Sequence, residues 1–269
     1  MNSLITKIKP ENETQKIVSF LRSILKKSGF NKLIIGLSGG IDSTTSLYLA
    51  RKVLPSKNIF IAYLYYFQPK TTLIQKICSA LKIPAQNQYF ISIKKPVDEF
   101  KKLLSINNQP RQTWLAQLTI NNVRLGNIMA RIRMIMLFDL AKKHSALVCG
   151  TENKSEHYLG YFTRFGDAAS DIEPIQHLYK TQVYQLAKYL KVPQEVIEAK
   201  PTAGLWSGQT DEGEFGFSYQ EADQVLYLYF EKKKSVVDIE KLGYKNSKKI
   251  IDFVNKNQFK HQTPYLLLP

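Results

Sequence analysis

The sequence predicts an α/β fold: a doubly wound, mostly parallel sheet flanked by helices, with a helical C-terminal portion. Three observations predict it. Short apolar runs rich in β-branched residues alternate with helix-period segments up to residue 150. A glycine-containing turn joins the first such run directly to a helix. Beyond residue 157 the pattern changes to a polar, aromatic, glycine-rich stretch followed by short helices. Strands alternating with helices imply parallel β-α units with right-handed crossovers, the Rossmann-like arrangement.

The elements follow in order. Ile17, Phe20, Leu21, Ile24 and Leu25 share one helical face over 12–28, which closes at Ser28 and Gly29. Residues 33–37 read as a buried strand, 38–42 as a turn, and 43–54 as a helix ended by Pro55. A second strand is expected over 59–67, a helix over 71–81, a third strand over 89–93 and a helix over about 97–104. Residues 108–113 read as loop. A long helix over about 121–143 turns Val123, Ile128, Ile132, Ile135, Met136 and Leu140 toward the core. A fourth strand, 146–149, opens at Gly150. A helix over about 180–190 is patterned by Val183, Leu186, Ala187 and Leu190. Residues 201–217, rich in glycine and acidic side chains, read as a mobile surface loop. Residues 1–269 are expected to form one domain, since no linker, repeat or domain boundary stands out.

Composition narrows the class. The only cysteines are Cys78 and Cys149, with no CxxC spacing, which points to a reduced, cytoplasmic protein without structural zinc. The longest apolar run, 59–67, is too short to cross a bilayer. Lys+Arg number 38 against 22 Asp+Glu, a net charge of +16. That excess is dispersed in pairs and triplets such as Lys26–Lys27, Lys142–Lys143 and Lys232–Lys234. It forms no basic stripe interleaved with aromatics, so nucleic acid is not expected as the main partner.

The strongest local signal is Gly36, Leu37, Ser38, Gly39, Gly40, Ile41, Asp42 and Ser43, between strand and helix. Glycines let backbone amides approach an anion, and the following helix adds its positive dipole end. Ser38 and Ser43 offer hydroxyl donors. A Walker A loop would place Gly-Lys-Ser/Thr at the helix start; here Gly40, Ile41 and Asp42 stand there. A carboxylate in a phosphate loop requires an intervening cation, so Asp42 reads as a Mg²⁺ ligand. Ligands of such sheets bind beyond the carboxyl ends of the strands, and both 38–43 and 150–156 fall there.

This loop resembles that of the ATP pyrophosphatase superfamily, whose members cleave ATP between the α- and β-phosphates. Further segments narrow the resemblance: Gly126 to Arg131 on the long helix, 150–156, 158–167, 171–174, Lys180 and 201–206. In this order and spacing they resemble the NAD synthetase family over roughly 12–260. That resemblance implies amidation of nicotinic acid adenine dinucleotide (deamido-NAD) with free ammonia, through an acyl-adenylate formed from ATP. It implies Mg²⁺ as cofactor, ATP as co-substrate and a homodimer. It makes Asp42 and Glu156 the metal ligands and Thr151, Lys180 and Thr202 ATP contacts. Arg131, Arg164, Asp171 and Lys260 become contacts to the dinucleotide, and Asp167 the acceptor of a proton from ammonium. The chain departs from the pattern at Asn153–Ser155, where many members carry His-Ala-Ala, and at Arg164, where many carry lysine. Residues alone leave Glu152 and Glu156 open as one solvated helix face, and Arg131 open as a surface residue. A tRNA-modifying adenylating ligase is the alternative reading; a nucleotide-binding regulatory protein is the reading from another class.

Overall fold

A computed structural model describes residues 8–104, 114–206, 208–262 and 264–267, and the side chains of 114–121 are left aside. The loop expected over 108–113 lies outside the described residues. Helix α1 spans Pro10–Ser28; proline opens it, Glu11 and Glu13 lie in the first turn, Lys26 and Lys27 in the last. These charges complement the helix dipole. Then come β1 (Leu33–Gly36), α2 (Ile41–Val53), β2 (Ile59–Tyr65), α3 (Thr71–Ala80), β3 (Gln88–Ser92) and α4 (Lys94–Leu103). The long α5 covers Trp114–His144 and β4 Leu147–Cys149. Most lie within a few residues of their expected positions, but α5 begins about two turns earlier than expected, and Val123 and Ile135, expected to face the core, are exposed because the helix meets the sheet along the narrower stripe of Met129, Ile132 and Leu140.

The four strands form one sheet, order β3-β2-β1-β4, all parallel. Strand alternation sorts side chains onto two faces. Leu33, Ile35, Ile59, Ile61 and Tyr63 pack with α1, α2 and α3. Ile34, Phe60, Ala62, Leu64 and Val148 pack with Val97 of α4 and Met129, Ile132 and Leu140 of α5. The sheet is therefore covered on both faces, as a doubly wound fold requires. Tyr63 is buried in the first core, because a run of seven strand residues covered on both faces leaves its interior positions no route to solvent.

After β4 come α6 (Lys154–Leu159), α7 (Lys180–Tyr189), α8 (Gln194–Glu198), α9 (Asp211–Phe215), α10 (Tyr219–Leu226), α11 (Val236–Lys241) and α12 (Ser247–Asn257). Helix α7 returns to the first core through Val183, Leu186 and Ala187. Helix α8 joins it there through Val196 and Ile197, and α6 and α9 to α12 gather a third core of Leu159, Phe215, Phe217, Tyr219, Leu226, Ile239 and Ile250. The stretch 201–217 is more built than a surface loop. Its second half contains α9, capped by Thr210 on Gly213, and Asp211, Phe215 and Phe217 are buried. The glycines around these two aromatic rings masked them in the sequence.

Candidate functional site

The turn after β1 builds the first wall. Gly39 has φ +82°, a left-handed conformation that favours glycine. Gly40 caps α2 with extended backbone. Ser38 and Ser43 meet hydroxyl to hydroxyl at 3.0 Å, Gly40 N donates to Ser38 Oγ at 3.2 Å, and Ser43 Oγ donates to Gly40 O at 3.2 Å. The loop is thus a pre-shaped cup with its amides and hydroxyls at the amino end of a helix.

The second wall is the exit of β4. Asn153 caps α6: its Oδ1 accepts from Glu156 N at 3.0 Å while Glu156 Oε2 accepts from Asn153 N at 3.3 Å, a reciprocal capping box. Asn153 Nδ2 donates to Asp42 Oδ1 at 3.0 Å, joining the two walls across the rim. Lys180, the first residue of α7, completes the join. Its ammonium lies 2.6 Å from Asp42 Oδ2 and 3.0 Å from Glu156 Oε1. Only 2% of the lysine side chain is exposed, against 16% of Asp42 and 17% of Glu156, so all three groups are largely buried, the lysine most deeply. Burial pulls the Lys180 pKa down, but the adjoining carboxylates of Asp42 and Glu156 reverse this and hold it raised. Burial pushes the Glu156 carboxyl up to about 8; Lys180 opposes that, and Asp42 and Asp211 add to it. Two carboxylates share one ammonium, so the group carries surplus negative charge when ionised and favours a further cation.

Beside it lies a cavity of about 60 Å³ lined by Thr151, Glu152, Glu156, Tyr161, Phe162 and Asp167. Asp167 Oδ1 accepts from Thr163 N at 2.9 Å. Solvent reaches this residue, yet protein packs densely round its carboxyl and the lost hydration raises its pKa. Glu152 is buried, with Oε2 accepting from Gln176 at 2.6 Å and Oε1 having no hydrogen-bond partner, so the solvated-face reading of Glu152 and Glu156 fails. Glu152 precedes α6 rather than lying on it. A larger open groove of about 440 Å³, lined by Tyr48, Arg51, Lys52, Lys82 and Leu190, holds none of the expected site residues.

Three of the four expected dinucleotide contacts, Arg131, Arg164 and Lys260, gather at a second locus, and Asp171 is held separately against β4. Arg131 is exposed on α5 and donates to Arg164 O at 3.2 Å, while the Arg164 guanidinium lies over Phe165 and Phe259. Lys260 Nζ donates to Gly160 O at 2.7 Å and to Phe162 O at 3.0 Å, tying the C-terminal segment to the 160–162 turn. Asp171 uses one carboxylate oxygen to accept Val148 N at 2.7 Å, fastening its own segment to β4. Thr202 is exposed, its Oγ1 accepting from Gly204 N at 3.0 Å. Among the described residues no group of three or more His, Cys, Asp or Glu is arranged to hold a metal ion, and no helix is long and apolar enough to cross a membrane.

Sequence reasoning passed over Asn153, which registers there only as a departure from the family pattern. The signal was present as Asn followed three residues later by Glu. It also gave no role to Glu173, a half-buried carboxylate that accepts from Glu152 N at 3.0 Å and from Ser170 Oγ at 2.7 Å. A Cβ on Gly150 would lie 1.9 Å from Glu173 Oε1, so Gly150 is what lets this carboxylate approach the β4 exit. Glu173 lies in the 171–174 segment that carries the family resemblance, but nothing in its local sequence marks the contact to Glu152 N.

Known proteins resemble the chain over nearly its whole length. The family model described as NAD synthase matches residues 13–264. The NH(3)-dependent NAD(+) synthetase of Fusobacterium nucleatum subsp. nucleatum is 39% identical over 99% of this chain and 98% of that protein. The NH(3)-dependent NAD(+) synthetase of Thermococcus kodakarensis is also 39% identical, over 93% of this chain and 94% of its own. Among solved structures, the NMN synthetase of Francisella tularensis superposes with a TM-score of 0.79 at 34% identity, covering 97% of this chain and 99% of that one. The NH3-dependent NAD synthetase of Campylobacter jejuni superposes with a TM-score of 0.75 at 28% identity, covering 97% and 100%.

Proposed function

The chain belongs to the NAD synthase family, and we infer from that premise that its rim site amidates deamido-NAD with ammonia at the expense of ATP. The family match across 13–264 disfavours the tRNA-modifying alternative. The observation that supports the assignment of chemistry to this site is the sharing of one buried ammonium, Lys180, by carboxylates from two rim segments, Asp42 and Glu156.

The chemical problem is a carboxylate, which is a poor electrophile. Its oxygen attacks the α-phosphorus of ATP; the new P–O bond forms as the bond to the β-phosphate oxygen breaks, and pyrophosphate departs. Ammonia then attacks the acyl carbon, and AMP leaves with the bonding pair. Both reactants are anionic, so the site must hold them together and stabilise the departing charge. In this reading the cup of Gly36 to Ser43 receives the pyrophosphate end on its amides and hydroxyls, and Lys180 supplies the cation the loop lacks. Thr151 and Thr202 contact ATP; Arg131, Arg164, Asp171 and Lys260 face the dinucleotide. Asp167, whose raised pKa makes it a stronger base, accepts the proton that ammonium sheds.

The donor set suits Mg²⁺: two carboxylates that share a single ammonium and carry surplus negative charge once Glu156 is ionised, at the edge of a phosphate cup, the kind of site at which this ion keeps waters and binds substrate phosphates. Asp42 and Glu156 would hold it, and bound there it would neutralise charge developing on the leaving pyrophosphate. We also propose a cytoplasmic homodimer. Phe100 and Leu103 of α4 and Ile135 of α5, exposed by 47%, 77% and 59%, supply an apolar face on two helices that pack together.

The test is pyrophosphate release with Mg²⁺, ATP and ammonium, run in parallel with deamido-NAD and with nicotinic acid mononucleotide, because one similar structure is an NMN synthetase. Release with the dinucleotide supports the reading. Release with the mononucleotide alone moves the substrate to the shorter acid, and release with neither overturns the ligase assignment.

A further inference from the structure

The first amides of a helix have no partner within it and must find one elsewhere. At α7 the partners come from far along the chain. Lys180 N donates to Ser155 Oγ at 2.8 Å, and Thr181 N donates to Asp223 Oδ2 at 2.9 Å. Ser155 Oγ in turn donates to Asp223 Oδ1. Asp223 and Ser155 are both fully buried, with 0% exposure. One carboxylate on α10 therefore collects the start of α7 directly and, through Ser155, the first turn of α6 next to Glu156.

The same helix reaches the other end of the lysine. The Tyr219 ring lies 5.0 Å from Lys180 Nζ, and its hydroxyl donates to Asp211 Oδ2 at 3.0 Å. Helix α10 thus grips Lys180 at backbone and at ammonium. A buried carboxylate is costly to ionise, and burial pushes the Asp223 pKa up to about 6 against the Ser155 and Thr181 hydrogen bonds. An ordinary helix cap would meet the same amide from the surface with Ser or Asn at far lower cost. What the buried acid adds is a common origin for two helices whose side chains, Lys180 and Glu156, must meet within hydrogen-bond distance of one another.

We propose that Asp223 is a positioning residue for the reaction: through Ser155 and the first turn of α7 it sets the Lys180 backbone so that the ammonium serves the phosphates of ATP. This rests on the phosphate role given to Lys180 above. A displacement of about 1 Å is enough to cost on the order of 100-fold in rate, so a second-layer carboxylate of this kind controls turnover without touching substrate.

The experiment is a cycle of four proteins: wild type, Asp223→Asn, Lys180→Met and the double variant. Each is assayed for pyrophosphate release with deamido-NAD and ammonium, and each is titrated calorimetrically with Mg-ATP. Asp223→Asn is expected to stay folded and to lose about 10-fold to 100-fold in kcat with little change in KM for deamido-NAD. It is also expected to weaken Mg-ATP binding. In the Lys180→Met background the same change is expected to alter neither readout, because the residue it acts through is absent. A kcat within twofold of wild type overturns the proposal, as does a loss that multiplies through unchanged in the Lys180→Met background. If Asp223→Asn does not fold, Ser155→Ala, which removes only the bridging hydroxyl, runs through the same cycle, and the same two results overturn the proposal. Full turnover in Lys180→Met alone would instead overturn the role of Lys180 and leave the two failures distinguishable.

Discussion

Replacing Lys180 by methionine keeps the length and apolar bulk of the side chain and deletes its charge. The ammonium is 2% exposed and pairs with Asp42 at 2.6 Å and Glu156 at 3.0 Å. Removing one partner of a buried pair typically costs about 3–5 kcal/mol, because the remaining charge is stranded. For a chain of this size each kcal/mol moves the melting temperature by about 2–4 °C, so a fall of roughly 6–20 °C is expected. The fall depends on pH. Lys180 has a raised pKa, so its contribution is fully present throughout the neutral range and is lost only in strong alkali. Glu156 is an acid with a raised pKa, about 8 in the wild type, so its ionisation costs stability progressively as pH climbs toward and through that value. At pH 6 the variant can leave Glu156 protonated and loses only the contact to Asp42. At pH 9 the wild type ionises Glu156 against Lys180, whereas the variant, whose Glu156 pKa rises further without the ammonium, must either hold the proton or carry two unscreened carboxylates, and the gap from wild type widens. Thermal denaturation at both pH values reads this directly. If Asp42 and Glu156 hold Mg²⁺, adding the ion at pH 9 restores part of the lost stability, and a chelator removes it again. A melting temperature within about 2 °C of wild type at pH 9, without added metal, would refute the reasoning.

Further outcomes follow from other residues. Gly150→Ala would thrust its Cβ to 1.9 Å from Glu173 Oε1, so about 1–3 kcal/mol of stability is expected to be lost in denaturant melts, and Glu173→Ala is expected to restore most of it in the double variant. Glu173 itself is raised to about 8 by burial, so its ionisation destabilises the fold increasingly from the ordinary carboxylate range up to about pH 8; Glu173→Gln should flatten the decline in melting temperature between pH 5 and 8, and an unchanged slope would count against it. Cys78 and Cys149 are buried free thiols, with burial pushing Cys78 up to about 11 and Cys149 higher still; a thiol reagent at neutral pH should label neither within minutes in the native protein and both after denaturation.

The sequence by itself determined the sheet, the helices around it and the two rim segments. Periodicity is a local property: Leu33, Ile34 and Ile35 alternate faces whatever lies beyond them, and a glycine turn between strand and helix makes an anion cup from its own backbone. A family resemblance carried the chemistry further than periodicity could. Tertiary structure alone decided what the site rests on. The Lys180–Asp42 contact joins residues 138 positions apart and the Asp223–Ser155 contact residues 68 apart, and neither carries a local signature. Glu152 and Glu156 look alike in sequence, yet one is a buried carboxylate held between Gln176 and His157 and the other pairs with Lys180 at the rim. Their difference lies in the partner the fold brings to each, Gln176 for Glu152 and Lys180 for Glu156, both 24 positions away along the chain, so only the folded path of the backbone and no local spacing decides it.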